Sequence, residues 1–145
     1  MPRIELETQI QADPARCFDL HTRSFGHTNE RAVAGTTTGL IGLEEEVTWE
    51  GRHFGLRLRH SAKITAFDPP QHFRDEMTRG HFKFFRHDHY FAPANGGTRM
   101  LDVLEFRSPA GFVGRIVDFL VLHRYLKKLL QTRNAFIKSV AESGG

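Results

Sequence analysis

The chain has 145 residues, the length of one domain with one core, and its 39% hydrophobic and 26% charged content is that of a globular protein. Its formal charge of +3 is spread over strands and helix with no dense basic tail, so no nucleic-acid partner is expected. No apolar run reaches the roughly eighteen residues that a membrane-spanning helix needs, and no integral membrane association is expected either.

The opening "MPRIELETQI" lacks the apolar stretch of a secretory signal. Cys17 is the single cysteine, so no internal disulfide can form, and both features suit a cytoplasmic setting. Residues 3–10 alternate apolar and polar with period two and predict a half-buried strand. In "QADPARCFDLH" Asp13 is a good N-cap and Pro14 fits the first helical position, with Ala15, Cys17 and Phe18 turned inward. Cys17 therefore reads as a buried thiol rather than a nucleophile. Residues 22–42 read as a long loop, in which the glycine- and threonine-rich "GTTTGLIG" at 35–42 could serve as a lid.

From Glu44 to Arg107 the pattern predicts about five antiparallel strands. "EEEVTWEG" and "HFGLRLRHSAKITAFDPP" turn near Gly51 and Arg52, and Asp68-Pro69-Pro70 ends the second. "HFRDEMTRG", "FKFFRHDHYFAPA" and "TRMLDVLEFRS" follow, the last two joined by the hairpin signal Asn95-Gly96-Gly97. From about Gly111 to Glu142 the period becomes helical. Leu122, Tyr125, Leu126, Leu129, Leu130, Phe136, Ile137 and Val140 fall on one face, with Arg124, Lys127, Lys128 and Lys138 opposite. Val117, Leu120 and Val121 lie off that stripe and meet either the 22–42 loop or a second copy of the chain, which leaves a homodimer open. The whole predicts one α+β domain over 1–145: a curved antiparallel sheet wrapped around one long C-terminal helix, with one or two short helices after the first strand.

Four stretches carry a resemblance to a known superfamily: "ADPARCFDL", "ITAFDPPQHFRDEM", "HDHYFAPANGGTRMLDVLEF" and "SPAGFVGRIVDFLVLHRYLKKLL". Together they resemble the START/Bet v 1-like (SRPBCC) superfamily, and within it the bacterial polyketide cyclase/dehydrase-like proteins, over nearly the whole chain. The resemblance implies the helix-grip fold and a ligand cavity between sheet and long helix. It does not imply a reaction, because this superfamily mixes carriers, cyclases and subunits without catalysis.

Residues two apart on a strand share a face, so Phe85, His87, His89 and Phe91 point one way and Arg86, Asp88 and Tyr90 the other. The two histidines fit a polar pair inside an aromatic-lined cavity. A His-x-His metal site would need further ligands from Glu105, His60, His53 or Glu76, and no metal or cofactor is expected. Asp102 and Glu105 lie on opposite faces of the last strand, so only one can reach the cavity, as an acid or base; the other reading is a cross-strand ion pair with Arg79 or Arg59. Arg133 falls within the apolar stripe and must pair with a sheet carboxylate, snorkel or meet a ligand's anion. Trp49, Phe54, Phe67, Phe73, Phe82, Phe84 and Phe85 give the sheet large rings, and thirteen phenylalanines in all exceed what tight packing asks for, which suits a cavity for a flat apolar ligand. The expected ligand-binding set is thus Phe85, His87, His89, Phe91, Asp102, Glu105, Arg133 and Trp49. The expected function is to bind a hydrophobic small molecule as carrier or sensor; the alternative is a cyclase or dehydratase using His87, His89 and a carboxylate. The sequence lacks a P-loop, a dinucleotide-binding glycine turn, a nucleophile elbow and a CxxC pair.

Overall fold

The computed structural model describes residues 3–22, 30–35, 42–53, 56–80, 82–107 and 121–143, with backbone placement alone for 30–35, 52, 53, 56 and 57. In chain order the elements are β1 (Arg3–Ile10), α1 (Pro14–Thr22), β2 (Glu30–Gly35), β3 (Glu46–His53), β4 (Leu56–Asp68), β5 (His72–Arg79), β6 (Phe84–Ala94), β7 (Gly97–Arg107) and α2 (His123–Glu142). The strands form one seven-stranded antiparallel sheet in the order β1-β7-β6-β5-β4-β3-β2. The predicted α+β helix-grip architecture is what the chain adopts: a curved sheet, a short helix after the first strand and a long C-terminal helix.

Local chemistry explains the joints. The Asp13 carboxylate accepts the Arg16 backbone N–H at 2.8 Å and so caps α1, which Pro14 opens. Asn95 and Gly96 adopt φ of 52° and 76°, the left-handed pair that a two-residue hairpin between β6 and β7 requires. A cis Pro69–Pro70 bond sits in the turn from β4 to β5. Irregularities in register at Ser61/Ala62 and Ile64/Ala66 bend the long strand β4, as bulges do.

Three expectations need correction. Residues 30–35, expected within a loop, form the edge strand β2, because backbone pairing with β3 overrides a composition that lacks large strand formers. Gly51 is no turn residue; it lies inside β3 opposite Leu58, and β3 runs on to His53. Ala15 is exposed, since Cys17 and Phe18 supply the inward side of α1. The proposed lid core at 36–41 and the helix expected over 111–120 lie outside the described residues.

The core sits between the sheet and the two helices. One apolar cluster joins Ile10, Cys17, Phe18, Ile64, Phe73, Phe91, Met100 and Ile137, with Trp49 and Phe67 packed against it. A second joins Ile4, Leu104, Phe106, Leu126 and Leu130, flanked by Phe82, Phe85 and Leu129. The buried residues of α2 are Leu126, Leu130, Asn134, Ile137 and Ala141. This stripe is rotated from the predicted one: Phe136 is exposed, and polar Asn134 replaces Arg133 at its centre.

Candidate functional site

Between the two apolar clusters lies a patch where the core is polar. His87 and His89 are neighbours on the inward face of β6, their rings stacked with centroids 3.8 Å apart. Antiparallel pairing sets His89 opposite Asp102 of β7 and His87 opposite Asp75 of β5. Helix α2 lays Asn134 and Arg133 over this patch, and His21, in the last turn of α1, closes one side. Asp102 is fully buried and His89 is 1% exposed, so these groups form part of the interior.

The hydrogen bonds link into a chain. Asp102 Oδ1 accepts from His87 Nε2 at 2.8 Å and lies 3.3 Å from His89 Nδ1, while its Oδ2 accepts from Asn134 Nδ2 at 2.5 Å. The other nitrogen of His89, Nε2, meets Asp75 Oδ2 at 2.8 Å. Asn134 also reaches Thr8 Oγ1 at 3.4 Å. Arg133 Nη2 lies 3.1 Å from His21 Nε2, 3.5 Å from His89 Nδ1 and 3.7 Å from Asp102 Oδ1.

These contacts set the protonation states. Burial opposes charge on His89, but the bonds to Asp102 and Asp75 outweigh it and hold the imidazole above its usual range. Burial also works against the Asp102 carboxylate, yet hydrogen bonds from His87 and His89 keep it well below the ordinary value; Asp75, bonded by His89, is lowered as well. Burial and the nearby His89 depress His87, and burial with the Arg133 charge pushes His21 well down. His89 gives its Nε2–H to Asp75, while its Nδ1 stands between Asp102 Oδ1 at 3.3 Å and Arg133 Nη2 at 3.5 Å. His87 is neutral and donates through Nε2, and His21 is neutral and accepts from Arg133.

Aromatic rings frame the patch. Phe73 stacks on His89 at 4.1 Å, and Phe18 meets Phe67, Phe73 and Phe91 edge-on at 5.4–5.5 Å. His21 packs between His89 and Phe91, at 5.1 and 5.3 Å.

Of the residues singled out from the sequence, His87, His89, Asp102 and Arg133 come together here, with Phe91 beside them and Trp49 farther along the same core. Phe85 packs with His60, Phe82 and the second apolar cluster. Glu105 does not join: its strand position turns it to the opposite face, where it accepts from Arg86 at 2.8 Å rather than from Arg79 or Arg59. Asp88, on that face too, accepts from His72 and Arg74 at 2.7 and 2.8 Å. Sequence reading missed Asp75, His21 and Asn134. Each carries a weak signal: Asp75 is two residues from the inward Phe73, His21 three from Phe18 on α1, and Asn134 between Leu130 and Ile137 on the buried stripe.

Two overlapping trios, His21/His89/Asp102 and Asp75/His87/His89, bring ligand-type atoms within 4.8 Å of one another. In the first, the Arg133 guanidinium stands where a cation would go, at 3.1, 3.5 and 3.7 Å from the three groups. In the second, His89 Nε2 is hydrogen-bonded to Asp75, and a metal there would require the ring to give up the proton that Asp75 accepts.

No protein-family profile and no curated relative matches the sequence. Solved structures do match. A protein from Thermus thermophilus is 16% identical with a TM-score of 0.77 over 99% of both chains. Ginseng major latex-like protein 151 from Panax ginseng is 14% identical with a TM-score of 0.70 over 97% of both. A Chromobacterium violaceum protein is 13% identical with a TM-score of 0.69 over 97% of this chain and 96% of its own. With this likeness added to the sheet order and the two helices, the chain has the helix-grip fold of the START/Bet v 1-like superfamily.

Proposed function

We propose that the protein binds a small apolar molecule between the sheet and α2, with the polar end of that molecule set against the His21, His89 and Arg133 edge of the buried cluster. The observation that carries this reading is the cluster itself. Packing a helix on a sheet calls only for apolar side chains, and buried ion pairs seldom stabilise more than well-packed apolar groups of the same size. Here Asp75, His87, His89, Asp102 and Asn134 occupy that seam instead, beside the rings of Phe18, Phe73 and Phe91. Such a combination of ring-lined walls and few converging polar groups is typical of small-molecule sites. The superfamily resemblance, which implies a ligand held at this level, supports the same reading.

The test is native mass spectrometry of the protein as purified, followed by titration with the neutral fluorescent probe 1-N-phenylnaphthylamine. Saturable uptake by the native state is expected. No uptake short of denaturing conditions, with no retained mass, would sink the proposal.

A second reading, an enzyme working by proton transfer, rests on one specific observation. Asp75 is hydrogen-bonded to His89 and Asp102 to His87, the two pairs meet at 3.3 Å, and the two stacked imidazoles are pushed in opposite directions. Groups driven apart in this way are how acid and base are assigned at one pH. His87→Gln separates the readings: an enzyme loses turnover while retaining the probe, and a carrier shows no turnover to lose.

A further inference from the structure

Polar contacts tie α1 to α2 at both of its ends. In the first turn Arg16 donates to the carbonyls of Ala141 and Val140 at 3.0 and 3.1 Å. In the last turn His21 Nε2 meets Arg133 Nη2 at 3.1 Å. Acid treats the two ends differently. A guanidinium keeps its charge and a backbone carbonyl does not titrate, so the Arg16 end holds wherever the chain is folded. An imidazole does titrate. Because a guanidinium can only donate, His21 Nε2 is the acceptor and the ring's proton sits on Nδ1. A second proton, on Nε2, leaves a donor on each side of the contact and two like charges 3.1 Å apart.

The surroundings do not compensate that charge. Facing His21 are Arg133 from α2, His89 and His87 from β6 and Asp102 from β7, with Asp75 from β5 bonded to the far side of His89. On α1 itself Asp19, two residues back, points to solvent. Asp102 accepts from His87 and Asn134 and lies 3.3 Å from His89, and Asp75 accepts from His89. These two carboxylates already balance Arg133 and His89, so a proton added to His21 is unmatched. His21 Nδ1 has no hydrogen-bond partner, so no second bond holds the ring once the first is lost. The residue is partly exposed, and a proton can reach it from solvent. Burial and the Arg133 charge, which push His21 well below its ordinary range, express the same opposition.

We propose that the His21–Arg133 contact is an acid-released latch: a proton taken up at His21 Nε2 frees the last turn of α1 from α2, while Arg16 keeps the first turn in place and the sheet stays folded. The movement lifts the His21 ring from Phe73 and Phe91, which it touches at 6.1 and 5.3 Å, and so uncovers the aromatic side of the seam.

The experiment places a thiol at the moving end. Thr22 is 2% exposed and its hydroxyl bonds back to the Phe18 carbonyl at 3.0 Å, so Thr22→Cys trades a bond within α1 for a buried thiol beside His21. Cys17, fully buried next to Arg16, is the internal marker of unfolding. The full chain is treated with 4,4′-dithiodipyridine at pH 7 and pH 5, the modified positions are mapped by mass spectrometry, and each rate is divided by that of the urea-unfolded chain at the same pH. Opening admits the ring to water, where imidazole titrates near about 6.5, so the open fraction can rise by at most about 25-fold between these pH values. The thiol at position 22 should react at least fivefold faster at pH 5 than at pH 7, and ahead of Cys17. With His21→Gln added, whose amide oxygen accepts from Arg133 but takes no proton, the rise should stay within about twofold. Arg133→Gln carries the same comparison if that variant does not fold, because an amide there can accept from a protonated ring. A rise below fivefold, a rise shared equally by Cys17, or one above about twofold in the variant overturns the latch. The binding reading does not depend on it.

Discussion

Replacing Asp102 by Asn removes one charge from the centre of the cluster and little else. The carboxylate accepts from His87 at 2.8 Å, from Asn134 at 2.5 Å and from His89 at 3.3 Å, with Arg133 at 3.7 Å. An amide keeps its oxygen toward the imidazoles but turns an NH2 toward Asn134. Asn134 can answer by rotating its own amide, whose Oδ1 has no partner, so the hydrogen bonds are largely repaired. What cannot be repaired is the loss of a fully buried negative charge beside His89 and the Arg133 guanidinium. Breaking a buried pair from one side costs about 3–5 kcal/mol. Part of that is relieved once His89 gives up its proton. His89 is raised in the native protein, so the charged pair with Asp102 exists below its folded value and is absent above it. The loss in Asp102→Asn should thus approach the upper figure near pH 6 and be smaller near pH 9. Urea denaturation followed by circular dichroism at both pH values measures it. Asp88→Asn is the control, because its partners His72 and Arg74 are partly exposed, and its cost should be about 1–2 kcal/mol. A loss below about 1 kcal/mol for Asp102→Asn at both pH values, or a larger loss at pH 9, would refute the charge account.

Four further outcomes are expected. His21 and His87 are depressed, so the unfolded chain binds protons that the native protein refuses, and stability should fall below about pH 6.5 by at most about 1.4 kcal/mol per pH unit for each imidazole. His89 acts oppositely, its contribution being lost as pH rises through its raised value; urea midpoints from pH 5 to 8.5 should therefore peak near about pH 6.5–7 instead of rising throughout. Leu130→Ala, on the buried stripe, should cost about 2–5 kcal/mol, while exposed Lys128→Ala stays within about 0.5; equal chemical-denaturation midpoints would show the wrong helix face. A Cβ at Gly97 would lie 2.2 Å from the Ile10 carbonyl oxygen, so Gly97→Ala should lower stability by about 1–3 kcal/mol or more, and an unchanged melting temperature would refute that contact. Elemental analysis of protein purified without a histidine tag should find no stoichiometric transition metal, because Arg133 already fills one trio; one equivalent lost in a His87→Ala, His89→Ala double variant would reverse this.

The period-two and helical patterns made β1, β5, β6, β7 and the long C-terminal helix legible, because each buries one face and must repeat at its own spacing. Strand β2 was not legible: an edge strand owes its form to backbone pairing with β3, which leaves no alternation in "ERAVAG". The inward placement of His87, His89 and Asp102 followed from alternation once the face of Phe91 and Met100 was known. Asp75, His21 and Asn134 join from other elements. Their arrival depends on register between β5 and β6 and on the rotation of α2, where the step from Arg133 to Asn134 is one residue, about a quarter of a turn. Periodicity alone does not fix the rotation of a helix to one residue.

The sheet joins its first strand to its last, with Arg3 opposite Glu105 and Ile10 opposite Thr98. Such pairing spans nearly the whole sequence, and high contact order slows folding because loop entropy is spent before the contact rewards it. During synthesis β1 has no sheet neighbour until β7 has been made, and the helix that covers His87, His89 and Asp102 follows later still. Those three side chains therefore remain hydrated through most of assembly, and the Asp102 carboxylate is withdrawn from water only when α2 docks. Hydrogen exchange at β7 amides near Asp102 should report the opening of this seam as an event separate from global unfolding.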